Sequence, residues 1–449
     1  MRCTVGIDIG TTSVKAVAAD DDGAVVARAR VPHQVVVPTP GRLEHDVAEA
    51  WRAGPARALG ELGVDRADVL GVSVAAMVPS LAAVDATGEP LTPGLLYGDE
   101  RGHTGSSASP AESGELVAFL GWAASAAPDA RGFWPAQAVA NHALAGEAVL
   151  DTSTAATAFP LFDWTGWDEQ VATAHGAHAE QLPRLVPTGL EAGRLDGDGP
   201  PLASGCIDAL AEQLVAGADE TGDVLVILGT TLIVWAVTDQ AEPVAPGCFV
   251  VPHTAAGKTL VGGPSNAGGL FLDWVRRVLG EDGPASAATA PSDPGRVPVW
   301  APYLRGERVP FHDPSRRGAL TGLDLTHDAA ALRRAAYEAS GFCARRMIDA
   351  AAEHAGAAPR RIVATGGGTR VDGWVQALAD ATGLPVECAA IPEGGALGSA
   401  WLARIAAGLE EPLAMTEGRR WARTGARVEP DPRWEKAVAE RYERFVALG

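Results

Sequence analysis

The chain predicts an α/β protein made of two copies of one domain, and three observations carry that reading. Apolar strand-like and helix-like segments alternate along 449 residues, enough chain for two separate cores. GIDIGTTSVKAV near the start and VILGTTLIVWAV past the middle each set Gly-Thr-Thr between two apolar strands. They lie too far apart for a solenoid, whose period is about 20–50 residues. They read instead as a duplication, with the second copy opening near residue 218.

Each element follows from local pattern. Strands over 4–9, 14–19 and 25–31 are joined by Gly-Thr-Thr-Ser and Asp-Asp-Asp-Gly turns, a β-meander with turn chemistry at each junction. A helix over 46–62 and a strand over 69–75 follow. The stretch 101–131 is rich in Ala, Ser, Gly and Pro and reads as a loop or lid with a short helix over 115–122. Gly, Asp and Pro make 189–201 a loop, and 280–298 another, mobile one. The second copy has strands over 224–228, 233–237 and 361–364, with helices over 268–279, 327–354, 372–382, 395–407 and 432–447.

Composition narrows the function. A formal net charge of −20 repels nucleic acid and anionic membrane, so neither is an expected partner. Backbone amides and a metal ion can still build a local positive field for a nucleotide. Five scattered cysteines without a CxxC pair fit a reducing cytoplasm and neither a zinc site nor a disulfide framework. No signal peptide is expected, because Asp8 interrupts the apolar start. The most apolar run, 224–237, is too short to span a bilayer.

Four segments carry chemistry. In the first, Gly10, Thr11, Thr12 and Ser13 bring backbone N–H groups and hydroxyls to phosphate oxygens, and Asp8 can hold magnesium through water. The second, Gly229, Thr230 and Thr231, repeats the turn, which suggests a clamp. The third is TGGGT, 365–369, whose glycines leave room for a flat adenine or ribose, and its spacing is not GxGxxG. The fourth is Asp208, at a loop-to-helix junction in SGCIDALAEQLVAG, which can serve as a general base or as an N-cap. His175 and His178 read as surface residues, and 300–310, WAPYLRGERVP, as a brace.

Taken in order, these segments resemble the FGGY family of carbohydrate kinases, within the actin-like ATPase fold. GIDIGTTSVKA is similar to its first phosphate motif, and GRLEHDVAEAW to its E-x-D-P segment and following tryptophan, with Val47 for the proline. SVAAMVPS and LTPGLLYGDERG resemble its substrate-side strands, and SGCIDALAEQLVAG its catalytic-aspartate segment. VILGTTLIVWAV, WAPYLRGERVPFHDPSRRG, RIVATGGGTRVDGWVQALAD and EGGALGSAWLA complete the second half. The resemblance implies two actin-like (ribonuclease H-like) domains, 1–217 and 218–449, closing over an ATP and sugar cleft, with helix 432–447 packing back on the first. It makes Asp208 the catalytic base and Asp8 the magnesium-associated residue. It sets Gly10 to Ser13 and Gly229 to Thr231 on phosphates, Gly367, Gly368 and Thr369 on the nucleoside, and Met77, Asp99 and Asp208 on the sugar.

The xylulokinase branch is the most similar, but its Q-M-H-G reads Ala76-Met77-Val78-Pro79 here, and its W-N-D-x-R reads Tyr97-Gly98-Asp99-Glu100-Arg101. The implied activity is ATP- and Mg2+-dependent phosphorylation of a sugar hydroxyl in a cytoplasmic enzyme, a homodimer for instance. A ketopentose such as xylulose is the expected substrate. Another ketose, a polyol, a sugar acid, a non-catalytic sugar sensor and an ATPase without a sugar are the alternatives.

Overall fold

A computed structural model describes residues 1–39, 41–102, 114–254, 257–281, 293–411 and 420–449. It divides into two units, Met1–Val215 with Glu393–Trp421, and Ala216–Pro392 with Ala422–Gly449.

The first unit is built on a seven-stranded sheet. β1 (Cys3–Ile9) is buried at every residue, because it is a central strand covered on both faces. It pairs antiparallel with β2 (Ser13–Ala19), which pairs antiparallel with β3 (Val25–Pro32). β3 alternates half-buried and exposed residues, as an edge strand with one wet face should. On its other side β1 pairs in parallel with β4 (Val69–Ala76), and the short strand Cys206–Ile207 pairs in parallel with β4. The helix Gly394–Ala406 covers β1 and β4 at backbone contact. A Cβ on Gly6 would lie 1.8 Å from the Ala396 carbonyl oxygen, and one on Gly398 would lie 1.9 Å from that of Ala211. A second, four-stranded sheet packs Ser80–Val84, Gly94–Leu96, Glu44–His45 and Gly132–Trp134.

Several expectations need correction here. The helix expected over 46–62 begins as π-helical turns, Ala48–Ala53, before the α-helix Gly54–Glu61. The segment 189–201, expected as a loop, is an edge hairpin of Glu191–Arg194 and Pro201–Ala203. Its Gly and Asp residues form the turn, where Asp196 and Gly197 take positive φ of 51° and 89°. The helix in the expected lid runs longer, Glu115–Ala126, and 103–113 lie outside the described residues.

The second unit repeats the central motif. β5 (Asp223–Leu228) pairs antiparallel with β6 (Leu232–Thr238) and in parallel with β8 (Arg361–Thr365), while β7 (Thr259–Ser265) extends the sheet beyond β6. The 27-residue helix Ala329–Ala355 starts at Asp328, whose carboxylate caps the Ala331 N–H, and stops at Gly356 with φ 61°. Much of the expected mobile segment, 282–292, lies outside the described residues.

The domain expectation changes in two ways. The segment that returns to the first unit is 393–421, not helix 432–447. The last helix, Glu435–Ala447, stays with the second unit because buried Arg441 donates to Glu338 at 2.6 and 2.8 Å. The change of unit falls at 215/216, two residues before the expected 217/218. Among the described residues no helix is long and apolar enough to cross a membrane.

Candidate active site

Three parallel strands of the first unit end together. Asp8 pairs with Ala75 and Ile9 with Ala76, while Cys206 pairs with Ala75 and Ile207 with Ala76. Asp8, Met77 and Asp208 therefore reach the same carboxyl edge of the sheet, where α/β folds bind ligands.

Asp8 is 5% exposed. Its Oδ2 accepts from Lys15 Nζ at 3.0 Å, and its Oδ1 is buried with no partner. The Asp8 charge in turn raises the Lys15 pKa. Asp208 lies deep in the unit while keeping part of its surface open. Burial, and next the charge of Asp8, pushes its carboxyl up to about 7. Its one hydrogen bond at the helix start comes from the adjacent Ala209 N–H at 2.7 Å. An N-cap would accept from the second or third helical residue, so the cap reading does not describe it.

The Gly10 to Ser13 turn closes with a Gly10 N–H to Ser13 carbonyl bond of 3.1 Å, leaving Thr12 exposed. Around it lie residues that the sequence reading gave no role. The Thr11 hydroxyl meets Tyr97 Oη at 2.7 Å, and the Thr11 carbonyl lies 2.8 Å from His45 Nε2. Trp51 donates from its indole to His45 Nδ1 at 2.9 Å. His45 and Trp51 share the segment GRLEHDVAEAW, but no motif spacing joins them to 11 and 97.

The two other sugar-side residues do not face open space. Met77 is 3% exposed within the apolar core, its N–H 3.3 Å from the Ile9 carbonyl oxygen. Asp99 is fully buried and accepts four bonds, from the N–H groups of Leu43 and Arg101 and from Arg101 Nε and Nη2. Four donors fill a carboxylate. Asp99 therefore orients Arg101, which also reaches Glu44 at 2.8 Å.

In the second unit the Gly229 to Thr231 turn ends β5, and the TGGGT segment ends its parallel neighbour β8. Gly229 N–H bonds the Thr231 carbonyl at 3.1 Å. The helix Gly269–Val278 begins against this turn, with Gly269 N–H on the Gly229 carbonyl at 2.9 Å and Leu270 N–H on the Thr230 carbonyl at 3.1 Å. The glycines of 366–368 are not alike. Gly366 is needed for φ 89°, and a Cβ on Gly368 would strike the Trp374 ring at 2.4 Å, whereas one on Gly367 would meet open space. Packing, not only ligand access, thus explains Gly368. Thr369 turns its hydroxyl onto the Gly366 carbonyl at 2.8 Å.

The remaining candidates are structural. His178 is exposed and paired with Glu169 at 2.9 Å, and His175 Nδ1 lies 2.8 Å from the Val171 carbonyl oxygen. Among the described residues no group of three or more potential ligands could hold a metal ion by itself. In WAPYLRGERVP, Glu307 is fully buried and accepts from Ser265 Oγ and from the N–H groups of Asn266 and Arg308, which braces the turn.

Two family models match the chain and together cover more than half of it. The N-terminal domain of the FGGY family of carbohydrate kinases matches residues 3–108, and its C-terminal domain matches residues 224–407. A gluconokinase of Bacillus subtilis is 27% identical, over 90% of this chain and 87% of that protein. A xylulose kinase of Escherichia coli is 27% identical, over 91% of each. The solved structure of a xylulose kinase from Rhodospirillum rubrum superposes with a TM-score of 0.78 at 27% identity, covering 100% of this chain and 98% of that one.

Proposed function

Since the chain belongs to the FGGY family of carbohydrate kinases and so phosphorylates a sugar with ATP, we propose that Asp208 is its general base and that its substrate is a neutral ketose, a ketopentose such as xylulose first. The observation that carries this reading is Asp208 and Asp8 at the ends of two parallel strands that both pair with β4, close enough for the Asp8 charge to help push the Asp208 carboxyl up to about 7.

Asp208 accepts the proton of a sugar hydroxyl as its oxygen attacks the terminal phosphorus, and a base pKa near the working pH suits that task. In the first unit the Gly10, Thr11, Thr12 and Ser13 turn faces phosphate oxygens through the exposed Thr12, while the Gly10 N–H to Ser13 carbonyl bond and the Thr11–Tyr97 contact hold its shape. In the second, Gly229, Thr230 and Thr231 do the same, and Gly367 and Gly368 meet the nucleoside. Catalysis rests mostly on positioning and charge, since phosphoryl transfer asks little covalent chemistry of the protein. Magnesium fits Asp8, whose Oδ1 is buried and unpartnered and can take it through water; when bound, the ion would neutralise charge on the transferring phosphate. Lys15 holds the other Asp8 oxygen in place.

A neutral sugar suits the charge at this edge. Asp8, Glu212 and Asp208 interact there, while Lys15 is paired with Asp8 and the nearby Arg30 donates to Ser13 Oγ at 3.2 Å. The similarity to a gluconokinase favours a sugar acid as the second reading. We expect the protein to be cytoplasmic and to take a small sugar as its partner, without nucleic acid or membrane, in a homodimer.

The test is ADP release from MgATP across ketopentoses, ketohexoses, polyols and sugar acids, beside Asp208→Ala. One sugar should respond and the variant should lose at least about 10²-fold, the lower end of general-base contributions. Near-normal turnover by the variant would refute the base, and a response to gluconate alone would select the second reading.

A further inference from the structure

The first phosphate turn is held by a relay that the family reading does not supply. Trp51 is fully buried, and its indole N–H can only donate, so His45 Nδ1 must accept. The neutral imidazole then carries its one proton on Nε2, which donates to the Thr11 carbonyl at 2.8 Å. His45 is 1% exposed, and the His33 ring stands edge-on to it at 4.5 Å, which fixes its plane. Tyr97 grips the hydroxyl of the same threonine.

The second unit gives independent support. Thr230 is the counterpart of Thr11 in the repeated Gly-Thr-Thr, and its carbonyl is also held, by the Leu270 N–H at the start of a helix. Both copies anchor the same carbonyl, one with a helix terminus and the other with a histidine side chain. Pinning that carbonyl sets the peptide plane that follows it, and with it the direction of the Thr12 N–H.

We infer that His45, locked as its Nε2–H tautomer by Trp51, is a positioning residue that aims the Thr11–Thr12 peptide at a nucleotide phosphate. The inference rests on the phosphate role proposed above for this turn. His45 touches no substrate and acts through Thr11. Glutamine is the conservative replacement, since its amide can accept from Trp51 and donate to Thr11.

The test measures binding of a non-hydrolysable ATP analogue, adenosine 5′-(β,γ-imido)triphosphate with Mg2+, and of adenosine alone, to the full chain. His45→Leu should weaken the analogue about tenfold, as expected for one lost hydrogen bond to a positioning group, and leave adenosine unchanged. His45→Gln should recover most of that loss. Thr12→Ala, which removes an exposed hydroxyl, checks the phosphate role itself. If Thr12→Ala weakens the analogue and His45→Leu does not, the relay is refuted. If neither weakens it, the phosphate role is what fails. Should His45→Leu not fold, 15N spectra of the imidazole in the unmodified protein decide. The Nε2–H tautomer, with an Nε2 signal that shifts on adding the analogue but not adenosine, supports the relay, and an Nδ1–H tautomer or an unmoved signal overturns it.

Discussion

Asp208 carries a carboxyl that burial pushes up to about 7, so in the folded chain it ionises far above the 3.8 of an ordinary aspartate. A raised carboxyl costs stability as pH climbs from 3.8 to 7, because the unfolded chain sheds its proton first. The cost reaches at most about 4 kcal/mol above pH 7. Asp208→Asn should therefore abolish turnover yet unfold at higher denaturant than the parent above pH 7, with the difference vanishing near pH 4. Equal midpoints at pH 8 would contradict the buried charge. In the parent, kcat/KM for the sugar should rise with unit slope to a plateau above an apparent pKa near 7. His45 works in the opposite direction. Burial, then the neighbouring His33, lowers its pKa to about 4, so its contribution is full above 6.5 and lost as pH falls toward 4. That contribution is about 3 kcal/mol. Over this window the Asp208 and His45 effects oppose each other in the parent, so the test is a difference: the urea midpoint of the parent relative to His45→Gln should fall as pH drops from 6.5 to 4.

Among the elements, the helix Gly394–Ala406 has its seat set by missing side chains. Gly6→Ala would drive a methyl group into the Ala396 carbonyl and the Ala400 N–H, both backbone and unable to swing aside. We expect a loss near 3 kcal/mol, the upper part of the overpacking range, read from chemical denaturation. A loss below about 0.5 kcal/mol, typical of a surface change, would mean the helix sits less tightly. The strands and turns of the first meander were legible because Gly, Asp and Thr punctuate them locally. The partner of this helix was not, since an apolar Ala- and Gly-rich pattern says that a helix is buried without saying against what. The hairpin at 191–203 hid for a related reason, as its short strands are overshadowed by the Gly and Asp of their own turn. Among the candidate residues, Asp8, Asp208 and the Gly-Thr-Thr turn of each unit stand out in the sequence as motifs. The Leu43 bond that completes Asp99 and the bonds of His45 and Tyr97 to Thr11 do not, because hydrogen bonds between residues 34 to 86 positions apart leave no periodic trace.

On the scale of the whole molecule, the chain leaves the first unit at 215, returns for 393–421 and leaves again. A fragment of residues 1–217 would thus lack the helix that covers β1 and β4. It should be aggregated or molten by near-ultraviolet circular dichroism. The same fragment joined by a flexible linker to 393–421 should unfold cooperatively. Cooperative unfolding of 1–217 alone would show that the returning helix is dispensable.

That returning helix also sets a clock for the nascent chain. The ribosome must make residues 216–392 before the segment that closes the first sheet exists. At roughly 5–20 residues per second the face of β1 and β4 waits about 10–35 s without its cover, and over that interval it is a surface for chaperones to shield.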